Sequence, residues 1–104
     1  MKKFIIGWMT IRPGMQDAFL AIAKRHQAMT RAEAGCEFFD ISISLDRPEV
    51  GIVTECFVDE AAHERHNAAP HMEAFRGEIA RVISDGRFHN IYSDQIRVDE
   101  VKFD

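Results

Sequence analysis

Apolar and polar positions alternate along residues 3–11, yet both faces of the alternation are apolar: Phe4, Ile6 and Trp8 on one, Ile5, Met9 and Ile11 on the other. A strand of that kind is covered on both sides. Arg12-Pro13-Gly14 breaks it with turn residues. The spacing then changes to three and four. Met15, Phe19, Ile22, His26 and Met29 form a stripe that predicts a helix over 15–33, with Ala23 small enough to sit beside the stripe. His26, on that stripe, reads as a packed and hydrogen-bonded histidine. Gly35 is the helix stop.

Alternation returns from Glu37 to Leu45, with Phe39, Ile41, Ile43 and Leu45 opposed to Phe38, Asp40, Ser42 and Ser44. Asp46-Arg47-Pro48-Glu49 reads as a turn, and Ile52–Val58 as a third strand with an acid, Glu55, in its middle. Asp59 is a good N-cap for a helix starting at Glu60, and Pro70 interrupts that helix at a position suited to opening a second piece. Met72, Phe75, Ile79, Val82 and Ile83 continue the helical stripe until Asp85-Gly86. The stretch from Arg87 to about Val98 has strand character through Phe88, Ile91, Tyr92, Ile96 and Val98.

The resulting order is βαββαβ in one domain, residues 1–104. It predicts the ferredoxin-like α+β arrangement, a four-stranded antiparallel sheet with helices on one face. Helices then cover one sheet face while apolar residues occupy both. The second face needs a partner, and a two-fold homodimer is the expected one.

Composition narrows the function. The chain is 46% hydrophobic and 29% charged with a net charge of −4, an ordinary globular balance that disfavours nucleic acid as a partner. No apolar run approaches the ~18 residues of a membrane helix. The opening MKKFIIGWMTI is too short for a signal peptide and lacks a cleavage site. Cys36 and Cys56 fit no metal-ligand spacing and read as buried hydrophobes in a reducing, cytoplasmic setting.

The candidate chemistry sits in residues 55–75, where His63, His66 and His71 follow Glu55. Imidazole changes charge and hydrogen-bonding role most readily near neutral pH. Glu55 has two readings: an ion pair or hydrogen bond holding the adjacent helix, or a carboxylate orienting an imidazole. His63, His66 and either Glu55 or Asp59 also have the residue types of a metal site, on spacing alone.

Four pieces resemble the antibiotic biosynthesis monooxygenase (ABM) superfamily of dimeric α+β barrel proteins: RPG at 12–14, EAGCEFFDISIS at 33–44, VTECFVDEAAH at 53–63 and HNAAPHMEAF at 66–75. The resemblance implies that fold and a homodimer. Its monooxygenases oxidise quinols or polycyclic aromatics with O₂ and need neither metal nor flavin, so no cofactor is implied. A haem-degrading branch is not matched. Gly7 stands where that branch has asparagine, and the last helix offers Arg76 rather than a histidine.

Under this resemblance the substrate is a small quinol or phenol that must lose a proton before passing an electron to O₂. His66 is the leading base, with His63 one turn earlier and His71 opening the next helical piece. Trp8, Phe38, Phe57, Phe75 and Tyr92 are candidate walls for an aromatic ring, and Arg76 a candidate for steadying negative charge. Two further readings stay open: an isomerase of a phosphorylated diketone, like the autoinducer-2 branch, and a dimeric module that only binds a hydrophobic small molecule.

Overall fold

The computed structural model describes residues 1–92 and Lys102. Seven elements follow in order: β1 (Lys3–Ile11), α1 (Gln16–Arg31), β2 (Cys36–Ile43), β3 (Val50–Phe57), α2 (Glu60–Ala68), α3 (Pro70–Ile79) and β4 (Ile83–Ile91). The strands pair in the order β2-β3-β1-β4, all antiparallel, which is the ferredoxin-like sheet. Strand register decides which residues share a face. Ile5 lies opposite Glu55, and Phe39 opposite the same Glu55, so these three sit on the face that α1 and α2 cover.

The core lies between that face and the helices. Met9, Ile11, Phe39 and Val53 of the sheet meet Phe19 and Ala23 of α1 and Ile79 at the end of α3. Phe19 and Phe57 are wholly enclosed, each burial stabilising by roughly 1.5–3 kcal/mol. The buried stripe of α1 runs through Phe19, Ala23, His26 and Thr30. It is therefore turned from the predicted one: Ala23 sits at its centre, and Met29 is half exposed. The end of α1 is tied to β2 by Arg31, whose Nε donates to the Phe39 carbonyl at 2.8 Å.

Asp59 caps α2 as the sequence predicts, its Oδ1 accepting from the Ala62 amide at 2.8 Å. Ala69, extended at φ −67° and ψ 144°, separates α2 from α3, and Pro70 opens α3. The last boundary differs from expectation. Helix α3 ends at Ile79, and Ile83 already belongs to β4 where it pairs with Ile11. Asp85 and Gly86 therefore lie within the strand. An apolar pair such as Val82-Ile83 suits either period, and pairing with β1 settles it as strand. The predicted continuation through Ile96 and Val98 lies outside the described residues.

Among the described residues, the second sheet face carries no helix. It presents Phe4, Ile6 and Trp8 of β1 beside Phe38 and Ile91, with Trp8, Phe38 and Ile91 each more than one-third exposed. Among the described residues, no helix is long and apolar enough to cross a membrane.

Candidate functional site

The break between α2 and α3 builds the site. On one continuous helix His66 and His71, five residues apart, would diverge around the axis. The extended Ala69 redirects the chain, and both imidazoles come to bear on a single acid, Glu33. Its Oε2 accepts from His66 Nδ1 at 2.7 Å and from His71 Nε2 at 2.8 Å.

Glu33 belongs to the α1–β2 loop, whose shape is set by backbone bonds. The Glu33 amide donates to the Thr30 carbonyl at 3.0 Å, and the Cys36 amide to the Glu33 carbonyl at 3.3 Å. Gly35 makes the loop possible. Its φ of +89° is left-handed, and a Cβ there would stand 2.8 Å from the Ala62 Cβ. The loop can therefore lie against α2 and deliver Glu33 to His66.

Beneath His66 lies Glu55, 7% exposed, with its Oε1 3.8 Å from His66 Nε2. That spacing is longer than a hydrogen bond. Burial, and secondarily the charge of Glu33, raise the Glu55 carboxyl to about 7. His26 completes the group from α1. Its ring stacks on Phe75 at 3.9 Å between centroids and 13° between planes, and lies 5.8 Å from His66 and 5.5 Å from His71. His26 is 4% exposed, and burial lowers its pKa to about 3. Contrary to the hydrogen-bonded histidine expected, its Nδ1 has no partner among the described residues.

A groove of about 250 Å³ opens between α1 and α3, walled by Ile22, His26, Met29, Pro70, Ala74 and Phe75. His71 lines it, and its one cation, Arg25, is ion-paired with Glu78 on the same rim. His66 does not reach it: the residue is 1% exposed and enclosed between Glu33, Glu55, Phe39 and Phe57.

The other sequence candidates fall in different places. His63 is half-buried beside Phe57, with ring centroids 5.3 Å apart, and burial lowers its pKa. Phe57 packs in the core and touches His66, while Phe75 walls the groove. Trp8 and Phe38 lie on the opposite sheet face, near His89 and Phe4 respectively, and so cannot wall a hollow that contains His71. Tyr92 is exposed, with the Lys3 ammonium 3.8 Å above its ring. Arg76 is not among the residues that line the groove and donates to the Asn67 carbonyl at 2.7 Å. Asp59 is engaged in capping.

The donors that converge are thus Glu33, His66 and His71, mutually within 4.8 Å, rather than His63, His66 and Glu55. Glu33 carried no sequence signal of its own beyond lying within the 33–44 piece. At Gly7, the Phe88 ring fills the space beside the backbone, so that a Cβ would meet it at 2.4 Å.

Comparison with known proteins agrees with this architecture. A family model described as antibiotic biosynthesis monooxygenase matches residues 4–78. The fold is similar to that of Rv0793 from Mycobacterium tuberculosis, with a TM-score of 0.84 at 21% identity over 98% of this chain and 100% of that one. PA3566 from Pseudomonas aeruginosa superposes with a TM-score of 0.82 at 25% identity over 88% and 93% of the two chains. A structure named only as an antibiotic biosynthesis monooxygenase gives 0.81 at 24% identity over 89% and 98%. No curated protein matches the sequence.

Proposed function

The chain belongs to the antibiotic biosynthesis monooxygenase family, and from that membership we propose that it oxygenates a small quinol or phenol in the groove between α1 and α3, with His71 as the base. The observation that carries the proposal is the 2.8 Å bond from His71 Nε2 to Glu33, made by a histidine that also lines the groove. A carboxylate on one ring nitrogen holds the proton there and leaves Nδ1 with its lone pair. That nitrogen is the base. His66, bonded to the same Glu33 oxygen, holds the carboxylate in place from the buried side.

The chemistry needs little else from the protein. Once His71 takes the substrate's proton, the electron-rich anion passes an electron to O₂. Recombination and loss of water then turn a quinol into a hydroxyquinone, with the new oxygen on a ring carbon, or an activated CH₂ of a phenolic substrate into a carbonyl. One oxygen atom enters the substrate, and the other leaves as water with two hydrogens that the substrate gives up, so no external reductant is required. The apolar walls suit both O₂ and an aromatic ring. The Phe75–His26 stack offers a flat surface, and about 250 Å³ fits one or two rings rather than an extended polycycle.

The isomerase reading asks for a free cation to hold a phosphate. Arg25 is already paired with Glu78, and Arg76 lies elsewhere, so that reading has less support. We also propose that the helix-free sheet face is covered by a second copy of the chain, since Phe4, Ile6, Phe38 and Ile91 line an apolar hollow there and Trp8 is exposed on the same face.

An oxygen electrode tests the reaction. EDTA-treated, flavin-free protein is expected to consume O₂ with hydroquinones or other one- and two-ring phenols above the spontaneous rate, and His71→Ala to abolish the excess. Absence of any excess over a panel of such substrates would leave a binding module.

A further inference from the structure

We infer that Glu33, His66 and His71 also form a binding site for one divalent transition-metal ion. Two imidazole nitrogens and a carboxylate oxygen converge within 4.8 Å of one another, the donor set that zinc, cobalt and iron take in sites with an open position. Ligands at ~2.0–2.2 Å around a tetrahedral ion stand about 3.3 Å apart. The observed 2.7 and 2.8 Å separations need to open by about half an ångström, while the two imidazole nitrogens, which lie within 4.8 Å of one another, would settle to the same spacing. The group is enclosed: the side chains of His66, His71 and Glu33 are 2%, 12% and 16% exposed.

Two neighbours strengthen the assignment. When a metal takes His66 Nδ1, the ring proton moves to Nε2, which faces Glu55 Oε1 at 3.8 Å. Closed by about an ångström, that pair would make the carboxylate–histidine–metal relay by which proteins orient a ligating imidazole. His26, buried and with its Nδ1 unpartnered among the described residues, adds another imidazole to the same enclosure. With neutral imidazoles the three donors carry one negative charge, which a divalent ion more than compensates.

Occupancy would also change the chemistry of His71. Metal on Nε2 moves the ring proton to Nδ1 and removes the lone pair that acts as base. The ion is therefore an inhibitor of the oxygenation; this consequence rests on the proposed function, whereas the site itself does not.

Cobalt(II) is the probe. Titrated into EDTA-stripped and dialysed protein, it is expected to produce saturable visible d–d bands at one ion per chain, bleached by Zn²⁺. Glu33→Gln and His71→Gln, as direct ligands, are each expected to weaken binding by more than the ~10–100-fold that loss of an outer-shell partner costs, with far-UV circular dichroism verifying the fold, while His63→Gln leaves it unchanged. Absence of a saturable band overturns the site, as does a band that survives both substitutions or disappears in His63→Gln. Oxygen uptake by the stripped protein is read separately, so failure of the reaction and failure of the site are distinguishable.

Discussion

The Nδ1 of His66 stands 2.7 Å from Oε2 of Glu33, a contact between a buried side chain of α2 and a loop 33 residues earlier in the chain. Because His71 meets the same oxygen, Glu33 governs both rings. Replacing it by Gln removes the charge and leaves an amide that holds the two rings less firmly. Glu33→Gln is expected to lower kcat about 10²-fold with KM little changed, and His71→Ala by about 10²–10⁴-fold. A fall confined to KM would show that Glu33 contributes to substrate binding rather than to holding the base.

Gly35 controls the approach of that loop. An added methyl would sit 2.8 Å from Ala62 Cβ in a left-handed backbone. Gly35→Ala is expected to destabilise the fold by about 1–3 kcal/mol and to reduce activity in the still-folded fraction as Glu33 moves away from His66. Urea unfolding together with oxygen uptake measures both. Unchanged stability and rate would mean that the loop does not need this conformation.

Acid should act through His26. Folded, it protonates only near 3, whereas the unfolded chain takes the proton near 6.5. Between those values the unfolded state binds more protons, so stability falls as pH drops from 6.5 towards 3. His26→Phe keeps an aromatic ring against Phe75 and is expected to remove this part of the acid sensitivity, seen as a flatter urea midpoint across that range.

Glu55 works in the opposite direction. Its folded carboxyl titrates at about 7 against 4.5 unfolded, so the folded state retains a proton that the unfolded state has lost. Stability from this group is full below 4.5 and is lost as pH rises through 7. Glu55→Gln should therefore gain stability relative to the parent at pH 8, by a few kcal/mol, and little at pH 4. The two windows overlap between pH 4.5 and 6.5, so each single variant is compared with the parent across the whole range from pH 3 to 8.

The helix-free face gives a prediction independent of catalysis. Phe4 and Phe38 lie 6.4 Å apart on it, and Trp8 extends the same surface. Trp8→Lys combined with Phe38→Lys is expected to convert a dimer to monomers in light scattering while leaving the secondary structure unchanged. A parent protein that is monomeric at all concentrations would remove the second-copy proposal.

Local physics made much of the fold legible in the sequence. The two-sided apolar alternation of residues 3–11 gives β1. The Asp59 cap and Pro70 place α2 and α3, because a carboxylate accepting from a helix's first amides and a proline without an amide are preferences of neighbouring residues. The crowding of His63, His66 and His71 was equally visible, and two of the three, His66 and His71, converge on Glu33.

Only the tertiary structure decided how that corner is built. Alternation sorts each strand into two faces, but the pairing of Ile5 with Glu55 is what places Glu55 beneath His66 and leaves Trp8 and Phe38 on the far side. Burial withdrew His66 from the groove and left His71 in it. Glu33, which joins the two imidazoles, is an acid in a turn without periodicity or motif. Its role depends on partners 33 and 38 residues away, and contacts over such separations leave no pattern in the local order of residues.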